Sequence, residues 1–469
     1  MTAAGDDKAV RRVAVVGAGP AGFYAVDQLL KAGFEVDLLD LLPTPFGLVR
    51  SGVAPDHPKI KSVTRVYEKT AAKPGFRFFG GIALGEDVSR GELLERYHAV
   101  VYSIGTAHDN RLGVAGEDRP GSHSATRFVA WYNGHPDAVD DTFDLTAQRA
   151  VVIGNGNVAV DVARMLVLDP DELAPTDTAD HALDALAAAH VEEVVVLGRR
   201  GPAQAAFTNP ELRELGELVR ADVQVDPSEL ELDEHSRHWL ETEADGTAKR
   251  NVEILTGYSQ REPSGKGHRI SLKFLRSPVE ILGEGDDGPV TGIRVVRNRL
   301  EPDANGRLRA VPTGEEEVIP CGLVLRSIGY RGRPVGDVPF DERRGLIRND
   351  GGRVCDEEGR PHPGEYVAGW IKRGPSGVIG TNKKDAADTV AKVVADAEAG
   401  ALNEPPDADR DACAAWLLGR VPDAVTWEGW QSIDALERAA GEPHGRPRVK
   451  LMRLDELVEA SRSGSAVGR

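Results

Sequence analysis

The sequence predicts an α/β protein built from two doubly wound domains, one inserted into the other. Residues 17–22 (GAGPAG) and 154–159 (GNGNVA) form two glycine-rich loops, and each directly follows a run of β-branched residues. Two echoing segments, residues 98–105 and 321–329, each contain a predicted buried strand, end in Ser-Ile-Gly and bracket the second loop. Strand, tight glycine turn and helix in this order are typical of a Rossmann-like dinucleotide-binding domain, so the chain predicts two of them.

The first loop has the complete pattern of a dinucleotide site. Gly17 permits the tight turn, Gly19 permits close approach of a pyrophosphate, and Gly22 permits close packing of helix on strand. The helix predicted over residues 21–32 directs unpaired N–H groups at the anion. Asp40 ends the next predicted strand, about where a ribose-binding acid belongs. A single loop of this kind could instead be a glycine-rich turn in some other α/β protein. That alternative is disfavoured here because the strand, the helix and the acid all occur at the expected positions.

The second loop differs from the first in the residues at the end of its partner strand. Residues 193–198 form that predicted strand, and Arg199 and Arg200 stand at its end in place of an acid. Planar guanidinium groups bind phosphate oxygens bidentately, which suits the 2′-phosphate of NADP. The alternative is a solvated surface pair of arginines. The pattern favours NADP as the second nucleotide.

Beyond the second loop the pattern predicts a return to the outer domain. We expect a strand over residues 365–370, then a helix over residues 382–399 whose glycine-marked start points its partial positive charge at an electron-rich ring. The remaining chain is rich in Pro and Asp, which predicts short helices such as residues 411–418 and a polar tail.

Composition excludes several classes of protein. The chain has 469 residues and a formal net charge of −18, which argues against general nucleic-acid or anionic-membrane binding. No apolar run reaches the roughly 18 residues of a membrane span, and the short stretch before the first strand leaves no room for a signal peptide, so we expect a cytoplasmic protein. Cys321, Cys355 and Cys413 are too far apart in sequence for a redox dithiol or a metal-ligand set, so we expect no metal.

Further motifs make the sequence resemble one family, the adrenodoxin-reductase family of ferredoxin–NADP reductases, with actinobacterial members most similar. The motifs are residues 17–24, 45–50 (PFGLVR), 53–58 (VAPDHP), 131–134 (WYNG), 156–159, 161–164, 198–202 (GRRGP), 369–370, 372–375 and 377–379. They occur in order along nearly the whole chain. The PFG and APDH segments are more specific than either glycine loop.

The two echoing segments place an inserted NADP-binding domain at residues 108–331, and the resemblance implies that residues 1–107 and 332–469 form an FAD-binding domain around it. The implied FAD residues are Gly17, Gly19, Ala21, Gly22, Asp40, Leu48, Leu84, Trp370, Gly377, Val378 and Ile379. The implied NADP residues are Asn155, Gly156, Asn157, Val158, Arg199, Arg200, Glu211 and Gly377. Asp40 departs from the family, where glutamate is usual, which puts the geometry of that hydrogen bond in doubt.

The resemblance also suggests catalytic residues. His57 and Asp161 match positions near the contact between flavin and nicotinamide, where an imidazole with a carboxylate partner would form a proton relay. The structural alternatives are a histidine that holds a turn and an acid on a helix surface. Trp370 is either a gate beside the ring system or a core residue. Glu211, read without the family, is an ordinary exposed carboxylate.

We therefore expect an enzyme that passes electrons from NADPH through FAD to a ferredoxin or similar small iron–sulfur protein. An NADPH diaphorase with quinone-type acceptors and a nucleotide-sensing protein without turnover are the alternatives. Ferredoxins of this kind are acidic, so their docking face should be basic, and Arg213 matches a docking position of the family. Lys31, Arg331 and Arg333 are its expected neighbours, with a mixed solvated surface as the alternative.

Overall fold

The described chain divides into two compact units. A computed structural model of the protein describes residues 10–106, 108–377 and 379–463. The first unit takes residues from both ends, Met1–Val53, His57–His108 and Gly329–Arg469, and the second takes Ala54–Asp56 and Asp109–Ile328. The stretch Ala54–Asp56 was not foreseen in the second unit, and the ion pair of Asp56 with Arg164 accounts for its place there.

The first unit is built on a sheet of eight strands. Their order is Asn349–Asp350, Arg353–Cys355, Pro361–Val367, Ala99–Tyr102, Arg12–Val16, Glu35–Asp40, Phe76–Gly80 and Val425–Thr426. The five consecutive strands from Pro361–Val367 to Phe76–Gly80 pair in parallel. Arg12–Val16 at their centre is buried throughout, as expected of a near-continuous apolar run covered on both faces. Short strands Phe340–Asp341 and Leu346–Ile347 form a separate hairpin.

Helices cover both faces of this sheet. They are Pro20–Lys31, Leu48–Ser51, Pro58–Lys61, Thr64–Ala71, Arg90–Leu94, Trp370–Arg373, Thr381–Glu398, Arg410–Arg420, Trp427–Gly441 and Leu454–Ser463, with a 3-10 turn at Glu442–His444. The helices expected over residues 382–399 and 411–418 are confirmed within one or two residues.

Two expectations for this unit are wrong. The strand expected over residues 365–370 ends at Val367, because Gly369 has φ +81° and Trp370 starts a short helix. Much of the C-terminal segment is packed rather than a polar tail, since Val425–Thr426 extends the sheet and Trp430 and Ile433 are buried in the core, while residues 464–469 lie outside the described residues. Composition alone hid this, because the helix Trp427–Gly441 carries many polar residues, of which Glu428, Gln431 and Arg438 are exposed and Glu437 is buried.

The second unit repeats the doubly wound pattern on a smaller sheet. The strand order is Ser122–Ser124, Leu323–Arg326, Arg149–Ile153, Glu193–Leu197, His268–Lys273 and Ala221–Gln224, and every pairing is parallel. A second, antiparallel sheet contains Arg276–Gly283, Val290–Pro302 and Leu308–Pro320. The helices are Ala125–Tyr132, Asn157–Met165, Pro170–Leu173, Asp180–Ala187, Asn209–Leu215, Glu234–Thr242 and Gly246–Ser259, with 3-10 turns at Pro136–Ala138, Pro202–Gln204 and Pro227–Leu230.

The chain passes between the units beside two further short strands, His108–Asp109 and Tyr330–Arg331. No helix among the described residues is long and apolar enough to cross a membrane.

Candidate functional site

The first glycine loop makes a cradle that only glycine permits. Gly17 has φ +107°, and a Cβ there would lie 2.5 Å from the carbonyl oxygen of Ser103. A Cβ on Gly22 would lie 2.0 Å from the carbonyl oxygen of Gly17. A Cβ on Gly19, in contrast, would meet nothing within 4 Å. The helix Pro20–Lys31 begins at Gly19 without a side-chain cap, so its first N–H groups are available to an anion, which fits a pyrophosphate at this open position.

Asp40 closes this loop. Its carboxylate accepts hydrogen bonds from the N–H of Ala18 at 2.6 Å and from the N–H of Leu42 at 2.8 Å. Burial raises the pKa of Asp40 to about 6, while these two backbone bonds act in the opposite direction. Each carboxylate oxygen still has a free lone pair, so the shorter aspartate retains the capacity to bind a ribose hydroxyl.

The PFG segment lies directly on the loop, a role that we did not assign to it from sequence. Phe46 donates its N–H to the carbonyl of Ala18 at 2.9 Å and has φ +86°, which is uncommon for a residue other than glycine. A Cβ on Gly47 would lie 3.0 Å from the Cα of Gly19, so the two backbones are in close contact. Leu48, the next residue, is exposed. The rare Pro-Phe-Gly sequence was the signal available for this contact.

A buried charge network fixes the end of this segment. The guanidinium of Arg50 donates to both carboxylate oxygens of Glu437, with Nη1 to Oε2 at 2.8 Å. Arg448 donates to the same carboxylate at 3.0 Å, and Lys450 donates to the carbonyl of Arg50 at 3.1 Å. Burial opposes ionisation of Glu437, yet the two guanidinium groups hold its pKa below the usual range. The helix Trp427–Gly441 therefore anchors the PFG segment.

The Trp370 segment approaches the same loop from another side. A Cβ on Gly369 would lie 2.7 Å from the Cβ of Ala21, so these residues are in contact. The ring of Trp370 stacks on Tyr330 with centroids 5.8 Å apart, and its indole N–H is buried with no hydrogen-bond partner among the described residues. An unsatisfied buried donor needs a partner, and a bound ligand would supply one. The position therefore fits an FAD-facing residue better than a plain core tryptophan.

The remaining predicted FAD residues lie in this first unit. Gly377 has φ +80° and packs against Thr381, where a Cβ would lie 2.5 Å from the hydroxyl oxygen. The helix Thr381–Glu398 begins without a side-chain cap and without an acid in its first turn. Ile379 packs against the same core as the first loop, and Leu84 packs against the core on the other face. Val378 lies outside the described residues.

The second unit repeats the glycine cradle. Gly154 has φ +135°, and a Cβ there would lie 2.0 Å from the carbonyl oxygen of Ser327. Gly156 faces open space, and the helix Asn157–Met165, which includes Val158, begins there without a side-chain cap. The side chain of Asn157 is used within the protein, because its oxygen accepts the N–H of Thr208 at 2.8 Å.

Several polar atoms near this loop have no protein partner. The amide nitrogen of Asn155, the hydroxyl of Thr208 and one carboxylate oxygen of Glu211 are buried and form no hydrogen bond among the described residues. Asn155 belongs to the loop, Thr208 is linked to Asn157, and Glu211 lies in the first turn of the helix Asn209–Leu215. Thr208 is an addition to the residues predicted from sequence. Donors and acceptors left open in this way fit a nucleotide.

Hydrogen bonds fix the backbones of Arg199 and Arg200, while their guanidinium groups have no acidic partner among the described residues. The carbonyl of Arg199 accepts from Asn298 at 2.8 Å, and that of Arg200 accepts from the N–H of Leu275 at 3.1 Å. Neither guanidinium has an acidic partner among the described residues. Burial and the neighbouring charge of Arg199 lower the pKa of Arg200. Two adjacent unpaired cations fit a dianionic phosphate.

Asp161 is part of a charge cluster around Arg164. The buried guanidinium of Arg164 forms ion pairs with Asp56, with Asp161 at 3.3 Å and with Glu214 at 3.1 Å. Asp161 is therefore more than a solvated helix acid. His57 is buried and belongs to the first unit, whereas Asp161 belongs to the second. A relay between His57 and Asp161 stays a prediction.

The expected docking residues differ in their exposure and in whether their charged groups have partners. Arg213 is exposed and lines a cavity of about 290 Å³ with Tyr258 and Arg261. Lys31 is paired with Asp27 at 2.6 Å. Arg331 donates to the carbonyl of Glu342, and Arg333 is exposed.

Comparison with known proteins identifies the class and then the family. Residues 11–214 match the pyridine nucleotide-disulphide oxidoreductase family. The chain is 52% identical over 459 residues to the NADPH-ferredoxin reductase FprA of Mycobacterium tuberculosis, covering 95% of this chain and 98% of that protein. It is 41% identical to the mitochondrial NADPH:adrenodoxin oxidoreductase of Salvelinus fontinalis, covering 96% of this chain and 91% of that protein.

A solved structure of M. tuberculosis FprA in complex with NADPH superimposes with a TM-score of 0.90 at 51% identity, covering 96% of this chain and 99% of that one. Fold and site thus define a two-domain oxidoreductase that uses FAD and NADP. The chain belongs to the NADPH-ferredoxin reductase family, to which NADPH:adrenodoxin oxidoreductase is related. The predicted family, fold class and enzyme class are confirmed.

Proposed function

We propose that the protein oxidises NADPH and delivers the electrons one at a time to a ferredoxin or a similar iron–sulfur protein. One observation carries the proposal: a single chain contains two open glycine cradles, and only the second is followed by a pair of unpaired arginines. When bound, FAD supplies the redox chemistry that side chains lack, because it accepts a hydride and releases single electrons.

The residues of the first unit bind and orient FAD. The uncapped helix at Gly19 holds the pyrophosphate, and the carboxylate of Asp40 accepts a ribose hydroxyl. The uncapped start of the helix Thr381–Glu398 would stabilise negative charge on FAD when it is bound. Trp370, whose indole N–H has no partner among the described residues, would help to hold FAD and to exclude water.

The residues of the second unit select NADPH. Arg199 and Arg200 pair with the 2′-phosphate, and the open amide of Asn155 and carboxylate of Glu211 bind the rest of the nucleotide. His57 and Asp161 move the proton that accompanies electron transfer, with Arg164 holding the Asp161 carboxylate in place.

The test is an anaerobic titration of the purified protein, monitored by visible absorption. We expect a yellow protein whose absorption bleaches with NADPH and far less readily with NADH. A protein that binds NADPH without bleaching would be a nucleotide sensor. A protein that retains no flavin would overturn the proposal.

A second assay separates the acceptors. We expect salt-sensitive reduction of an acidic ferredoxin at a higher kcat/KM than that of menadione, because protein docking depends on charge. Preference for menadione would make the protein a diaphorase.

We also propose a cytoplasmic location, supported by the three cysteines, which are all free and buried.

A further inference from the structure

Residues 58–73 stand out in an acidic chain. They contain five basic residues and a single acid, Glu68, whereas the whole protein has a net charge of −18. The segment forms the helices Pro58–Lys61 and Thr64–Ala71 in the first unit. Such a reversal of local charge creates a positive potential on one part of the surface.

The second of these helices has one buried and one exposed side. Tyr67, Thr70 and Ala71 are buried. Arg65, Val66 and Lys69 lie on the opposite side at positions i, i+1 and i+4, and all three are exposed. Val66 is 50% exposed. Val66 therefore contributes little to the core, and its exposed side chain, flanked by two cations, is available to contact a partner.

The preceding helix, Pro58–Lys61, contributes two further exposed residues. Lys59 is exposed, and Ile60 is 38% exposed beside it. Consecutive backbone hydrogen bonds, from Val63 to the carbonyl of Ile60 and from Arg65 to the carbonyl of Ser62, join the two helices without a gap. We call Lys59, Ile60, Arg65, Val66 and Lys69 together the basic face.

The cations of the basic face are unpaired. Lys59, Arg65 and Lys69 have no acidic partner among the residues that the structure describes. The acid of the segment is directed elsewhere, since Glu68 pairs with Arg438 at 3.9 Å. Lys31 offers an instructive contrast, because it and Lys73 share the carboxylate of Asp27, at 2.6 and 2.5 Å. The expected docking cation Lys31 thus has an ion-pair partner, whereas the three cations of the basic face have none among the described residues.

We propose that the basic face is a docking surface for the acidic iron–sulfur protein that accepts the electrons. The inference rests on the proposed function, and it adds an interface on the first unit to the one expected at Arg213. Unpaired cations around exposed aliphatic side chains have the composition of a small, transient interface with an acidic protein. Charge complementarity would supply fast association, and Ile60 and Val66 would supply apolar contact.

The experiment uses the flavin-loaded enzyme and a purified acidic [2Fe–2S] ferredoxin as probe. We compare Arg65→Glu/Lys69→Glu with Arg65→Gln/Lys69→Gln, and with the control Lys249→Glu/Lys392→Glu. The control residues are exposed, and the control makes the same change in net charge as the first variant. Each variant is assayed with ferredoxin and with the uncharged acceptor menadione at several salt concentrations.

We expect the KM for ferredoxin to rise by about tenfold in the Glu variant at low salt, and by less in the Gln variant. The difference should shrink to about twofold or less at high salt, where exposed charges are screened. The control should stay within about twofold, and turnover with menadione should not change in any variant.

If the wild type reduces ferredoxin, the docking inference would be overturned, and the proposed function kept, by an unchanged KM in the Glu variant. An equal rise of the KM in the control variant would have the same consequence. Parallel losses with ferredoxin and menadione would also overturn it, because the helix would then support the flavin site. A wild type that reduces menadione but no ferredoxin would overturn the proposed function, and the docking surface with it.

Discussion

Removal of both arginines after the second loop should abolish most of the preference for NADPH over NADH. The change is Arg199→Ala with Arg200→Ala. Neither side chain has an ion-pair partner among the described residues, and both backbones are held by hydrogen bonds from Asn298 and Leu275. The double variant should therefore keep its fold and its loop, and the loss should fall on the 2′-phosphate.

The expected loss of NADPH binding free energy depends on how exposed the two arginine side chains are. Hydrogen bonds to charged groups contribute about 1.5–3 kcal/mol each. Arg199 is exposed, so solvent screens it and the lower end of that range applies, whereas Arg200 is partly buried and loses less to water. Together they should contribute at least about 3 kcal/mol, which corresponds to a hundredfold or larger change in Kd.

The assay is rapid mixing of the oxidised enzyme with NADPH or NADH. We expect the double variant to show a hundredfold or larger rise in Kd for NADPH, a nearly unchanged Kd for NADH, and a rate of flavin reduction at saturation close to that of the wild type. Lys249→Ala, a change of an exposed cation in the same unit, is the control. A double variant that keeps its full preference for NADPH would refute the assignment, and so would a wild type that uses both nucleotides equally.

Three further predictions concern the first loop, the C-terminal anchor and the relay. Gly22→Ala should destabilise the protein, because its Cβ would lie 2.0 Å from a backbone oxygen. Gly19→Ala should leave the melting temperature of the flavin-free protein unchanged and weaken FAD binding. Equal effects of the two variants on melting temperature would contradict the proposed role of the first glycine loop. Glu437→Gln should cost about 3–5 kcal/mol in urea unfolding, because it leaves Arg50 buried without its anion while Arg448 keeps its ion pair with Asp434, and a loss below about 1 kcal/mol would show that water replaces the carboxylate. Asp161→Asn should slow flavin reduction by about ten- to a thousandfold and alter its pH dependence while FAD stays bound; an unchanged rate would leave Asp161 without a catalytic role.

Local pattern was sufficient for much of the site. The glycines of both loops and the arginine pair could be predicted because each depends on backbone geometry or charge within one strand–turn–helix unit. Gly17 and Gly154 need positive φ, and Gly19 and Gly156 need open space, which spacing alone indicates. The assignment of Leu84, Trp370 and Glu211 came only with the resemblance, because no local rule singles out those side chains.

Long-range packing determined the rest. The contact of Gly47 with Gly19, the contact of Gly369 with Ala21, and the anchoring of Arg50 by Glu437 join residues that are distant in the sequence. The burial of the helix Trp427–Gly441 around Trp430 is also a long-range contact. No periodicity specifies which strand edge or loop such a helix will meet.

The sequence by itself determined the two doubly wound units and the positions of both glycine loops, because each depends on local backbone sterics. Only the tertiary structure decided which polar atoms stay unpaired. Asn155, Glu211 and Trp370 were left open, Asp27 was paired with the distant Lys73, and the basic face kept its charge. The physical reason is that hydrogen bonds and ion pairs depend on distances of a few ångströms between residues that only the complete fold brings together.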